Sequence, residues 1–322
     1  MYISNATRYA LGVCAAVTTL VGCGASPVSL GPRGPIGQNA MLAVRPDRSR
    51  SWMAPDAKKV NLLYISDLTT GDVYVYSYPE GILEGTLTGF KRPWGLCVDK
   101  AGKVFVTEES GFQILEYAHG GTTPLATLKD PGEDPGGCSV DPTTGDLAVA
   151  NISTPATNPG DVAIYKNARG ARRSFKDRAI TYYEYCSYDN QGNLYVDGMT
   201  PSAFVFAELP KGTTSFANIA LNENIQFAGG VQWDGKYVAI RDYEANVIYQ
   251  FSISGSGGTE TGSTPLDGSS YVAQFWIQGS NVVGPDANSG TVMFWNYPAG
   301  GSPTKTINGL TTPWGVTISM AG

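Results

Sequence analysis

The chain has 322 residues, only 16% of them charged, with 40 glycines, 20 prolines and 18 tyrosines. That mixture suits many short strands joined by tight turns and fits a helical protein poorly. A net charge of -6 and a pI near 4.9 argue against nucleic acid or any other general polyanion as partner.

Residues 1–22 carry one charged side chain, Arg8, ahead of the apolar run LGVCAAVTTLVG, which is too short to cross a bilayer. The run ends in LVGC, Leu20 to Cys23. This resembles the lipobox of bacterial lipoproteins. The resemblance implies a signal peptide over 1–22, a lipid on the Cys23 thiol, and a place in the cell envelope. Gly24, where an acidic residue would retain the protein at the inner membrane, implies the outer membrane. Acyl chains hold a membrane by roughly 0.8 kcal/mol per buried methylene. An ordinary secretory signal with an unrelated cysteine is the other reading. Residues 23–59 show no lasting periodicity and are expected to form a lipidated tether. The remaining thiols are Cys97, Cys138 and Cys186; no CxxC pair occurs, so neither a zinc knuckle nor a thioredoxin-like site is indicated.

From residue 60 onward the chain repeats itself. One phrase begins near a glycine and ends at a turn: PWGLCVDKAGKVFVTEE from Pro93, PGGCSVDPTTGDLAVAN from Pro135, YEYCSYDNQGNLYVDG from Tyr183, and AGGVQWDGKYVAIRD from Ala228. A worn copy, VAQFWIQGSNVVG, starts at Val272. The turn positions Asp99, Asp141, Asp189, Asp234 and Gln278 are 42, 48, 45 and 44 residues apart, the period of a four-stranded propeller blade. A second phrase follows each, as in GDVYVYSYPEG at 71–81 and GTVMFWNYPAGG at 290–301, with apolar residues at every second position. The second phrase occurs six times and the first only five times complete. The unit that starts at NLLYISDLTTG lacks its opening strand, and the terminal PWGVTIS supplies it. The expected fold is therefore an all-β, six-bladed propeller over 60–322, closed by pairing of the C-terminal strand with the N-terminal blade. That pairing removes the open edges of an incomplete ring.

The phrases PWG through Asp99, GKVFVTE at 102–108, GDLAVAN at 145–151 and GNLYVDG at 192–198 resemble NHL-repeat and related six-bladed propellers. That group includes gluconolactonase-like and streptogramin-lyase-like proteins. The motif is diffuse and speaks to fold more than activity. A streptogramin-lyase-like activity implies a histidine base near the axis. The one histidine, His119, falls instead in the turn between the third and fourth strands of its blade, away from the axis. A gluconolactonase-like activity implies a divalent metal held by Glu and Asn or Asp ligands from several blades. Glu108, Asn151, Asp197 and Asp242 stand at the ends of second strands and offer oxygen ligands to a cation such as calcium. Acids are equally at home there as turn caps, and the family's early glutamate is missing from residues 59–70.

Three further features remain. Cys138 and Cys186 occupy equivalent places, three residues before the turn Asp; a disulfide between them and a pair of buried thiols are both open readings, while Cys97 has no obvious partner. The run RGARRSFKDR places Arg169, Arg172, Arg173, Lys176 and Arg178 along an outer edge. It serves either to solubilise that edge or to meet an acidic surface. Trp94, Tyr182, Tyr183, Phe227, Tyr271 and Trp314 fall at or near the starts of first-phrase strands, where they suit a protein, peptide or glycan partner. The function expected is a non-catalytic binding or protein-interaction propeller of the cell envelope without a required cofactor; the alternative is a metal-dependent, lactonase-like hydrolase.

Overall fold

Each repeat folds as an antiparallel sheet in the computed structural model, which describes residues 50–153, 159–242 and 244–322. Cys23 and the tether up to residue 49 lie outside the described residues. Six sheets form six blades. Their innermost strands are Pro313–Ser319 in blade 1, Pro93–Val98, Pro135–Val140, Tyr182–Tyr188, Ala228–Trp233, and Trp276–Gln278 in blade 6. The ring closes as expected: Pro313–Ser319 pairs antiparallel with Leu62–Asp67, with Tyr64 opposite Thr317 and Leu62 opposite Ser319.

Alternation explains the packing. Along the second strand of blade 1, Leu62 and Tyr64 face blade 2, and Leu63 and Ile65 face blade 6. Six apolar clusters result, one per blade interface. The repeated turn aspartates act locally. Asp99 Oδ1 accepts the N–H groups of Ala101 at 2.9 Å and Lys103 at 2.8 Å, and Asp141, Asp189 and Asp234 accept equivalent bonds. Glycines recur where inner strands crowd the axis. A Cβ on Gly315 would stand 2.1 Å from the Trp94 carbonyl oxygen, and one on Gly95 would stand 2.5 Å from that of Gly136. No side chain fits there. The equivalent positions in blades 4 and 6 hold Tyr185 and Gln274, both buried. Gln274 ties two inner strands together, accepting from Leu96 N (3.1 Å) and Val316 N (3.2 Å) and donating to Leu96 O (2.8 Å).

Two expectations need correction. The fold begins before residue 60: Trp52–Met53 adds a fifth strand to blade 1 by pairing with Thr86 and Gly85, and Ala57 is buried in the adjoining core. The disulfide joins Cys97 to Cys138, and Cys186 is a buried free thiol. Face parity is the reason. Cys138 and Cys186 sit at equivalent positions, so each points toward the blade preceding its own. Cys97 is one residue out of step and points toward the blade that follows, into the interface where Cys138 waits. Cys186 packs instead against Ala148 and Ala150 of blade 3.

Candidate functional site

Inner strands begin, and second strands end, on the same face of the disc, as the pairings Pro93 with Glu108 and Ala228 with Asp242 show. Two sets of polar residues share that face. Most strand-end acids accept N–H groups from nearby turns and connectors. Asp67 accepts N–H groups from Thr69 and Thr70 in its own turn (3.1 and 3.2 Å) and from Thr311 and Thr312 in the connector to the closing strand (2.8 and 3.2 Å). Asp286 does the same with Asn288, Ser289 and Ser270. Asp242 takes Gln226 N and Glu244 N, both at 3.1 Å. Glu108 accepts from Lys91 N and the Gln113 amide. Asn151 donates to Asp161 at 2.7 Å.

Asp197 stands one residue earlier in the register, where blades 1 and 2 have Ser66 and Thr107. Thr107 Oγ1 accepts the Gly95 N–H at 2.8 Å, and Asp197 Oδ1 accepts the equivalent Tyr185 N–H at 2.9 Å. Burial raises the Asp197 carboxyl well above the usual range. Of the four proposed ligands, Glu108 and Asp242 are engaged by N–H donors, whereas Asn151 Oδ1 and Asp197 Oδ2 are buried without a hydrogen-bond partner. Among the described residues no group of three or more His, Cys, Asp or Glu is arranged to hold a divalent cation.

At the axial mouth the geometry differs. The rings of Trp94 and Trp314 lie 4.6 Å apart, centre to centre, and Tyr271 stands 5.4 Å from Trp314. The Arg92 guanidinium sits 5.2 Å over the Trp94 ring and pairs with Glu109 at 2.9 Å. Glu184 occupies in blade 4 the position that Trp94 and Trp314 hold in theirs. Its carboxyl is half-buried, and among the described residues nothing hydrogen-bonds or ion-pairs with it. Burial, then the neighbouring charge of Glu109, push it up to about 7. Beside it Tyr185 reaches across toward Tyr271 and the Trp314 indole. The Trp94 indole N–H is buried without an acceptor. Blades 1, 2, 4 and 6 therefore build one patch of aromatic faces with an unengaged acid.

Of the expected binding residues, the structure brings together Trp94, Trp314 and Tyr271. Tyr182 and Phe227 are exposed at the starts of blades 4 and 5. Tyr183 belongs to the core: it is fully buried, and its hydroxyl takes Asp177 N at 2.5 Å and donates to Asp177 O at 3.1 Å. The bulge between Tyr183 and Cys186 breaks strand alternation and turns Tyr183 inward. Sequence reasoning missed Arg92, Glu184 and Tyr185. Counting five residues back from each turn Asp would have found Glu184, since the same count from Asp99 finds Trp94.

The basic edge is partly spent. Arg172 sits among three acids, reaching Asp130 at 3.1 Å, Glu133 at 2.8 Å and Asp161 at 3.0 Å. Arg169 pairs with the buried Glu116 at 2.5 Å. Arg173 lies over its neighbour Phe175, and Lys176 and Arg178 are exposed. His119 is away from the mouth, with Nδ1 2.7 Å from Ser319 Oγ and Nε2 3.1 Å from Val60 O.

No protein-family model and no curated protein matches the sequence. Solved structures do match. A chain from the crystal structure of a nidogen/laminin complex is similar over 81% of this chain and 99% of its own, at 16% identity and a TM-score of 0.68. A candidate 6-phosphogluconolactonase from Bacteroides fragilis is similar over 84% of this chain and 86% of its own, at 13% identity and a TM-score of 0.56. At such identities the likeness is one of fold, and the fold is a six-bladed β-propeller.

Proposed function

We propose that this chain is an exported ligand-binding propeller of the cell envelope, anchored through Cys23, whose recognition surface is the axial mouth. One observation carries the reading: Trp94, Trp314 and Tyr271 stand together at the mouth, Tyr185 lies between them and Glu184, and Glu184 has no internal partner, whereas Asp67 and Asp242 on that face are bonded to backbone N–H groups. Rigid rings with few rotamers give contact area at low ordering cost. The Cys97–Cys138 disulfide supports an oxidising compartment outside the cytoplasm. The NHL-type phrases and the LVGC sequence support the same assignment. The alternative is a metal-dependent lactonase-like hydrolase; the N–H groups bonded to Glu108 and Asp242 weigh against it.

The test is chemical crosslinking on native membranes followed by mass spectrometry. A partner should be captured by the wild type and lost in W94L and W314L, with Y182A and F227A weakening capture less. The same preparation should show an acylated Cys23. Capture that is indifferent to both tryptophans removes the mouth from the assignment.

A further inference from the structure

We propose that the axial mouth is a receptor for an alkylammonium group, seated against the partly exposed rings of Trp314 and Tyr271, which the buried Trp94 supports, and paired with the Glu184 carboxylate. This rests on the reading of the mouth as the binding surface and names what it binds.

Three features select a cation. First, charge is unbalanced at this spot. Arg92 and Glu109 neutralise each other at 2.9 Å, which leaves Glu184 without a counter-charge. A carboxylate withdrawn from water with no partner is costly, and a ligand that brings the opposite charge relieves that cost. Second, the faces of aromatic rings attract cations through their quadrupoles, most strongly where water is excluded. The Trp94 ring already does so internally, since Arg92 stands 5.2 Å above it. The adjoining Trp314 ring packs against Trp94 and Tyr271 and is only partly buried. Third, an anionic ligand would meet Glu184 and Glu109 together, which disfavours carboxylates and phosphates. An ammonium on an alkyl stem satisfies all three, with the charge on Glu184 and the stem along the rings.

A free amine and a lysine side chain of a partner protein present the same headgroup. Isothermal titration of the full chain, at pH 8, would use tetramethylammonium, n-butylammonium, a lysine-containing tripeptide, and 3,3-dimethylbutanol as the neutral analogue. Binding of the ammonium probes, and little or none of the alcohol, is expected. Tripeptide binding tighter than butylammonium assigns the site to a protein lysine; the reverse order assigns it to a free amine. E184Q, which keeps the shape of the side chain, should weaken ammonium binding by about tenfold or more, as should W314L, the loss of one desolvated cation contact. Thermal unfolding of each variant verifies its fold.

The wild type supplies an independent check. Affinity should fall as pH drops from 8 to 5, because Glu184 gains a proton around pH 7. The titratable groups coupled to it are Glu109, Tyr185 and Asp197, and Arg92 and Asp134 act on Glu109. Equal binding of the alcohol, unchanged affinity in E184Q, or flat affinity across that pH range overturns the ammonium assignment. Partner capture that still depends on Trp94 and Trp314 in such a case leaves the mouth as binding surface and removes only the ligand class. Capture indifferent to those tryptophans removes both.

Discussion

The seam that closes the ring and the boundary between blades 2 and 3 hold neighbouring parts of the disc by different means. At the seam, the strand Pro313–Ser319 is attached by its ladder with Leu62–Asp67, by apolar packing, and by the four N–H groups that Asp67 gathers from both chain segments. Between blades 2 and 3 the core includes Cys97, Cys138, Ala163 and Ala168, and it is supplemented by a disulfide and by Arg172 among Asp130, Glu133 and Asp161. The difference teaches that ring closure needs no covalent lock. The covalent and ionic links stand instead where the chain already runs continuously from one blade to the next.

Substitutions at the two places separate these mechanisms. The largest loss is expected from R172M, about 4 kcal/mol, because three acids, two of them fully buried, lose their shared counter-charge. Burial already raises Asp130 to about 6 and raises Glu133 as well. Without Arg172 these acids rise further, so the variant should regain stability as pH falls from 8 to 5 and they take up protons; denaturant melts at both pH values test this. C97S should cost about 3 kcal/mol, the usual scale for removing a native disulfide. Reductant should produce the same loss in the wild type and none in the variant.

At the seam, D67A should cost about 2 kcal/mol by leaving the N–H groups of the turn and connector without their carboxylate. Hydrogen exchange should quicken first in residues 311–319 rather than in blades 2 and 3. A result in which D67A unfolds the disc more severely than R172M would reverse the comparison.

E184Q stands apart from these losses, because its expected effect is a gain. The Glu184 pKa is raised on folding from 4.5 to about 7. Folding therefore favours its protonated form, and the wild type loses stability as pH rises through the interval between those values. The glutamine variant should match the wild type near pH 4 and exceed it clearly at pH 8. A variant less stable than the wild type at pH 8 would show that Glu184 has an internal partner after all.

The architecture was legible in one sequence because backbone pairing repeats. The spacing from Asp99 to Asp141 to Asp189 marks equivalent turns, and the leftover PWGVTIS had one edge to complete. The candidate site was legible only in part. Trp94 and Trp314 stood out because they fill equivalent places in blades that become neighbours. Glu184 did not, because a lone acid among tyrosines gives no sign of whether its oxygens will meet backbone N–H groups, as those of Asp67 do, or open space. Tyr183 was misplaced because alternation fails at the bulge between it and Cys186. Cys97 was left without a partner because pairing across an interface depends on which face of each blade a side chain leaves, and equivalent positions never face one another.

The sequence alone determined the number of blades, the turns that punctuate them and the closure of the ring, since these follow from local periodicity and from hydrogen bonds that must be satisfied. Tertiary structure alone decided which thiols bond, which arginines are spent on buried acids, and which carboxyl stands unengaged at the axis. Those outcomes depend on side chains from different blades meeting across faces, and no spacing along one strand encodes the distance to the next.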